Sequence, residues 1–319
     1  MAVYTQVSVD DLTRVLERFD LGELRSFRGI AEGVENSNYL IETSKNRYIL
    51  TLYEKRVDAD DLPFFLGLME HLASNGVVCP LPMRDASGAA LFELAGRPAA
   101  FISYLDGVSI DSATNVHCQQ VGQALAQLHA AQRGFSLSRA NALSLSGWQT
   151  LGEDCADRAD TVAPGLRATI SNELTYLREM WPQTHTLERG VIHADLFPDN
   201  AFFLDGALSG IIDFYFACND ALAYDLAICI NAWCFSPVGI FSFDKASALL
   251  RGYNDVRPLE QDERRLMGVL CRGAALRFLL TRLYDWLNPA PGALVKPKDP
   301  RDYLARLTHF QEHGFGTTS

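Results

Sequence analysis

The chain has no pair of cysteines at CxxC spacing. Its seven cysteines stand at 79, 118, 155, 218, 229, 234 and 271. That odd, scattered set argues against a disulfide framework and against a zinc site. Cys229 and Cys234 fall in the apolar run LAICINAWCF, where buried thiols are the expected reading. No apolar run reaches the roughly 18–20 residues that a membrane span requires. The opening residues, MAVYTQVSVDDLTRVLERF, lack a basic region followed by an apolar stretch and a small-residue cleavage site, so no secretory signal is read there. Positive charge is scarce. With 28 Lys and Arg against 39 Asp and Glu, the formal net charge is −11, which argues against nucleic acid as a partner. The same balance disfavours long-range steering of an anionic ligand, so any such site must act locally, through backbone amides and bound cations. Low-complexity segments and internal repeats are also absent. A soluble, cytoplasmic protein without membrane or nucleic-acid partners is expected, and composition does not set its oligomeric state.

What is present is enough for one large domain or two packed lobes: 319 residues, 48% of them hydrophobic and 21% charged. Ser8, with Asp11 three residues later, marks the start of a short helix. Residues 37–42 (SNYLIE) and 47–53 (RYILTLY) are β-prone runs on either side of the turn-like TSKN. A second pair of strands is expected to bracket Asp85–Gly88, its later run being 98–105 (PAAFISYL). Between the two pairs, Leu62, Phe65, Leu66, Met69 and Leu72 recur at helical spacing. After Asp106–Gly107 the character turns helical. Residues 115–132 align Val121, Leu125 and Leu128, residues 168–181 align Ile170, Leu174, Leu177 and Trp181, and a long helical pattern runs from about 261 to 287. The serine-rich stretch 136–147 reads as a surface loop. The fold class is α+β, with a small sheet lobe over 1–102, a helical lobe over 103–319 and a hinge near 101–107.

The segment that carries chemistry is 191–216, VIHADLFPDNAFFLDGALSGIIDFYF. Asp205–Gly206 is a strong hairpin signal, because both residues tolerate the positive φ of a type I′ turn. If they form the loop, Leu204 pairs with Ala207 and Asn200 comes opposite Ile211. Side chains alternate along a strand, so Asp213 shares the face of Asn200, roughly 7 Å further along. Asp195 arrives from the preceding loop. An Asp, Asn, Asp set is an all-oxygen cluster suited to magnesium. Each acid alone would pass for part of a surface hairpin, and their joint spacing is what favours a site.

HADLFPDN followed by IIDF resembles the catalytic-loop and metal-binding signatures of the protein-kinase-like fold, in the branch of aminoglycoside and small-molecule phosphotransferases. The resemblance implies a two-lobed structure: an antiparallel sheet with one main helix, then a larger and mostly helical lobe. It implies ATP and Mg²⁺, with Asp195 orienting or deprotonating an acceptor hydroxyl and Asn200 and Asp213 holding the metal. His193 is expected to brace the loop, and Asp225 in AYDLAI to support it from below. GIAEGVENSNYLI resembles the family's phosphate-covering hairpin, which makes Gly33, Asn36, Ser37 and Asn38 nucleotide contacts. FISYLDG resembles the segment that meets adenine, where Ser103, Tyr104 and Leu105 would lie. Leu128-His129 resembles a helix-end pair with a packing role. One departure stands out: the strand position where kinases carry a phosphate-binding lysine is Thr51. Lys55 and Arg56 follow beyond the strand, and Glu70 is the nearest candidate for the lysine's glutamate partner.

Finer features, among them SVDDL, DLPFFLGLMEHLASNGVVCPLP, RFLLTRLYDW and KDPRDY, resemble the bacterial homoserine kinases of this type, and the resemblance covers residues 8 to 313. It is this likeness that implies homoserine as the small-molecule acceptor; spacing alone stops at an alcohol phosphorylated by a nucleotide. A homoserine carboxylate calls for a guanidinium, and Arg277 and Arg282 in the apolar AALRFLLTRLYDW are the candidates. Other readings are a kinase for choline, an aminoglycoside or a sugar, a non-catalytic nucleotide-binding regulator suggested by Thr51, and a metal hydrolase built on His193. The seven dispersed histidines weigh against the last.

Overall fold

The computed structural model describes residues 5–30, 36–54, 58–289 and 297–316. The chain divides into two compact units, Met1–Gly107 with Ser209–Tyr215, and Val108–Leu208 with Phe216–Ser319.

In the first unit, Ser8 caps α1 (Val9–Arg18). Its hydroxyl accepts the Asp11 N–H at 3.1 Å and donates to the Asp11 carboxylate at 2.6 Å, which satisfies a donor that the helix start leaves unpaired. Leu12 and Leu16, one turn apart, are buried with Ile41, Leu50, Phe92 and Phe101 in one apolar cluster. Strands β1 (Leu24–Gly29), β2 (Ser37–Thr43), β3 (Arg47–Leu52), β4 (Phe92–Leu94) and β5 (Arg97–Ser103) form an antiparallel sheet in the order β1-β2-β3-β5-β4. No residue of β1 is buried; an exposed edge strand lacks the alternation that marks a strand in sequence. Helix α2 (Leu62–Ser74) buries Leu62, Phe65, Leu66, Met69 and Leu72, as their spacing predicts.

The second hairpin corrects the sequence reading. Asp85–Gly88 is a turn, closed by Gly88 N–H to the Asp85 carbonyl at 2.9 Å, but β4 and β5 meet at Ala95–Gly96, whose φ values are 51° and 72°. Alanine rarely occupies left-handed backbone, so this turn carries no residue-type signal.

The second unit contains α3 (Asn115–Ala131), α4 (Leu145–Cys155), α5 (Leu166–Met180), β6 (Arg189–Ile192), β7 (Ala201–Leu204), β8 (Ala207–Ile211, its last residues counted with the first unit), β9 (Cys218–Ala221), α6 (Leu222–Trp233), α7 (Phe243–Val256), α8 (Gln261–Leu287) and α9 (Arg301–His313). Helix α4 begins inside the stretch read as a loop over 136–147, where the serines and Gly147 mask a segment that buries Trp148, Gly152 and Cys155. Asp205–Gly206 turns β7 into β8 with φ of 51° and 81°, as their residue types predict. Helices α3 and α7 touch backbone to backbone. A Cβ on Gly122 would stand 2.0 Å from the Leu249 carbonyl oxygen, and one on Gly252 would stand 2.0 Å from that of Gln119. No side chain fits at either place. Strand β6 pairs with β9, Ile192 opposite Cys218, which brings the start of the 193–200 loop beside the start of α6. All seven cysteines are buried and free. No helix among the described residues is long and apolar enough to cross a membrane.

Candidate active site

The loop between β6 and β7 has its backbone tied at nearly every residue. Asp225, at the first turn of α6 and fully buried, accepts the N–H of His193 at 2.7 Å and that of Ala194 at 2.9 Å. The Ala194 carbonyl receives Nη1 of Arg277 from α8 at 2.5 Å. The Asp195 carbonyl receives the Asn200 amide at 2.7 Å and the Phe197 N–H at 2.8 Å. The Leu196 carbonyl receives the Trp233 indole N–H at 2.8 Å. A buried loop must place its backbone donors and acceptors somewhere, and here they are placed on two helices, α6 and α8, and on the loop's own Asn200. Ala194 itself sits in left-handed backbone, φ 63°, a conformation that costs a non-glycine residue about 1 kcal/mol or more and persists only where the surroundings impose it.

Asp225 is itself held. His129, on α3, places Nε2 3.0 Å from its carboxylate and Nδ1 2.8 Å from the Tyr253 hydroxyl of α7. An ionised carboxylate only accepts, so the ring donates to it from Nε2. Arg257 then donates to the Tyr253 oxygen at 3.1 Å and pairs with the buried Glu263 at 2.7 Å. Burial alone would raise the Asp225 carboxyl. The hydrogen bond and charge of His129, with the N–H of His193, hold it below its ordinary value instead. Of this chain the sequence marked His129 and Asp225, while Tyr253, Arg257 and Glu263 carry no signal of their own. Arg257 and Glu263 sit at a helix end and a helix start, where charged residues are ordinary.

His193 is fully buried, and its Nδ1 accepts the Asp195 N–H at 3.2 Å. The ring fastens the loop to itself. Asn200, also buried, directs Nδ2 to Asp195, at 2.7 Å from the carbonyl and 3.2 Å from the carboxylate. That fixes the amide's orientation and makes its oxygen the end available to a cation.

Asp213 belongs to the first unit and is exposed, with φ 66°. Two residues on, the Tyr215 hydroxyl lies 3.2 Å from that of Tyr53. The Thr51 hydroxyl donates to Asn38 Oδ1 at 2.9 Å across the β2–β3 ladder. Glu70 is committed to Arg84 at 2.6 and 2.7 Å, so it is an ion-pair partner within this unit. Lys55, Arg56 and Gly33 lie outside the described residues. Asn36 and Ser37 are buried: Asn36 Oδ1 accepts from the Glu54 N–H at 3.3 Å, and the Ser37 hydroxyl donates to the Glu54 carboxylate at 2.7 Å. At the end of β5, Ser103 bonds both ways with Leu81, Tyr104 stacks under Arg47 at 4.2 Å, and Leu105 packs where a Cβ on Gly210 would stand.

The two arginines of α8 differ. Arg277 is buried against the 193–200 loop, beside the Phe278 and Phe216 rings. Arg282 pairs with Asp302 of α9 at 3.2 Å and lies 4.5 Å from the Tyr303 ring.

A family model described as "Phosphotransferase enzyme family" matches residues 26–259. Curated relatives include the homoserine kinase of Methylobacterium radiotolerans, 57% identical over 312 residues, which covers 98% of this chain and 97% of that protein. The homoserine kinase of Azorhizobium caulinodans is 59% identical over 307 residues, covering 96% and 95%. Among solved structures, amicoumacin kinase hAmiN in complex with AMP-PNP, Ca²⁺ and Ami superposes with a TM-score of 0.67 at 16% identity, covering 94% of this chain and 91% of that one. Choline kinase LicA from Streptococcus pneumoniae gives 0.66 at 16% identity, covering 94% and 98%. At such identities these structures establish the protein-kinase-like fold and nothing finer.

Proposed function

The chain belongs to the phosphotransferase enzyme family, and from that premise we propose that it transfers the γ-phosphoryl group of ATP to the side-chain hydroxyl of L-homoserine. The observation that carries the acceptor is identity of 57% and 59% to homoserine kinases over nearly the whole chain. The immobilised loop supports the chemistry. Phosphoryl transfer asks little covalent work of a protein and much positioning, and a loop tied at residues 193 to 197 holds Asp195 to one place.

In the step itself, the homoserine oxygen forms a bond to the γ-phosphorus as the bond from phosphorus to the ADP oxygen breaks. Asp195 orients the hydroxyl and takes its proton. Asn200 and Asp213, flanking the β7–β8 hairpin, present one amide oxygen and one carboxylate, a donor set that fits Mg²⁺ and its preference for few protein ligands beside phosphate oxygens. When bound there, magnesium would supply positive charge against the phosphates. With threonine in place of the strand lysine, phosphate binding falls to backbone amides of the β1–β2 connection, shaped by Asn36, Ser37 and Asn38, and the adenine to the Ser103–Leu105 segment.

The test is ADP release against a panel of L-homoserine, choline, an aminoglycoside, a sugar alcohol and L-serine, with the product identified by phosphorus NMR. Homoserine should be turned over far ahead of the rest. Phosphorylation of choline or an aminoglycoside with homoserine ignored would overturn the acceptor and leave only the phosphotransferase.

A further inference from the structure

In a chain of net charge −11, one corner of the second unit gathers guanidinium groups beside the catalytic loop. Tyr303, on α9, is fully buried. Arg306 lies 4.2 Å from its ring centroid and Arg282 lies 4.5 Å from it. Arg306 also reaches the Phe235 ring at 5.4 Å. Two of its nitrogens, Nε and Nη1, are buried with no hydrogen-bond partner among the described residues, and the Tyr303 hydroxyl is likewise unpartnered. The ring of Phe197, two residues after Asp195, is 6.4 Å from that of Tyr303, and both lie against Phe278, at 4.9 and 5.2 Å.

Burying a guanidinium with its N–H groups unmatched is costly. Aromatic rings offset the charge but accept no hydrogen bond of ordinary strength. The acid best placed to help is Asp302, one helical turn before Arg306, the spacing at which such pairs form. Its carboxylate is given to Arg282 instead. Two cations therefore share one tyrosine; Asp302 pairs with Arg282, while Asp199 and Asp195 act on the group from farther off. Arg282 shows the strain: burial lowers its pKa, and the charge of Arg306 lowers it further, against Tyr303 and Asp302. An incoming anion would relieve both.

We propose that Arg306, with Arg282 and the Tyr303 hydroxyl, forms the seat for the acceptor's carboxylate. The inference rests on reading the acceptor as homoserine and deepens it by naming the residue that selects an amino acid over a plain amino alcohol. A carboxylate presents two oxygens to a guanidinium fork, which suits arginine and not lysine. Sequence inspection passes over Arg306 because RDYLARLTHF gives it the spacing of a solvated helix face.

The experiment compares steady-state kinetics with L-homoserine and with 3-amino-1-propanol, which keeps the hydroxyl and ammonium and lacks the carboxylate. In Arg306→Met the homoserine KM should rise about tenfold or more, the loss of one charge-assisted contact, with nucleotide KM unmoved. The preference for homoserine over aminopropanol should fall by the same factor. Arg306→Lys, which retains charge without the fork, should fall between, and it serves as the test if circular dichroism finds the methionine variant unfolded. If homoserine KM is unaltered in both variants, or both substrates lose equally, the seat is misassigned. Wild-type protein that neither binds nor phosphorylates homoserine would fail the acceptor reading itself, and this inference with it.

Discussion

Arg277 donates to the carbonyl of Ala194, the residue immediately before Asp195 and itself in left-handed backbone. The sequence alone made Arg277 a candidate for the acceptor's carboxylate. Its hydrogen bond to the loop supports another role, that of holding the Ala194 carbonyl while Asp225 holds the N–H groups of His193 and Ala194.

Arg277→Met should therefore lower kcat by tenfold or more while homoserine KM shifts by less than about threefold, the pattern of lost transition-state positioning. Steady-state kinetics decide it. Preserved kcat with a raised homoserine KM would return Arg277 to the acceptor site. The variant should also lose about 2 kcal/mol of stability, since the Ala194 carbonyl is left buried without its donor.

Asp195→Asn should reduce turnover by orders of magnitude and leave ATP binding nearly intact. The asparagine keeps the volume and the contact with Asn200 but cannot take the hydroxyl proton. Near wild-type turnover would remove Asp195 from the mechanism.

Asp213→Ala should abolish the magnesium-dependent part of nucleotide affinity, because the proposed site then keeps one neutral amide oxygen as its protein ligand. Isothermal calorimetry with ATP, in the presence of Mg²⁺ and of EDTA, gives the comparison. Equal Mg–ATP affinity in variant and wild type would show that the metal is held elsewhere.

Asp225 makes a prediction about acid. Its folded-state carboxyl lies below the ordinary value through His129 and the loop N–H groups, with burial opposing. A depressed carboxyl contributes stability that is present above its unfolded pKa of about 3.9 and is lost as pH falls through the folded value. Asp225→Asn should then destabilise by about 3 kcal/mol at neutral pH, since one amide oxygen cannot serve the donors from His129, His193 and Ala194. The penalty should shrink toward pH 3. Urea melts across pH 3–7 measure both, and a penalty constant with pH would mean that the carboxylate charge contributes nothing.

The spacing of residues 193–213 was legible in the sequence because it is set locally. A hairpin loop of Asp205–Gly206 needs only two residues that accept positive φ, and the alternation of the strands follows from it. The long helices α3 and α8 were equally legible, α3 from its apolar stripe and α8 from a long run of apolar and helix-favouring residues that is buried on all sides in its middle. Strand β1 and the Ala95–Gly96 turn were not, because an exposed edge strand shows no alternation and an alanine shows no sign of left-handed backbone. Side-chain roles that depend on distant partners were hidden altogether. Arg277, Arg282 and Arg306 are three similar arginines on helices. Packing alone commits the first to a backbone carbonyl, gives the second an acid, and leaves two buried nitrogens of the third unmatched, because which groups meet across α8 and α9 is set by the tertiary fold and not by spacing along either helix.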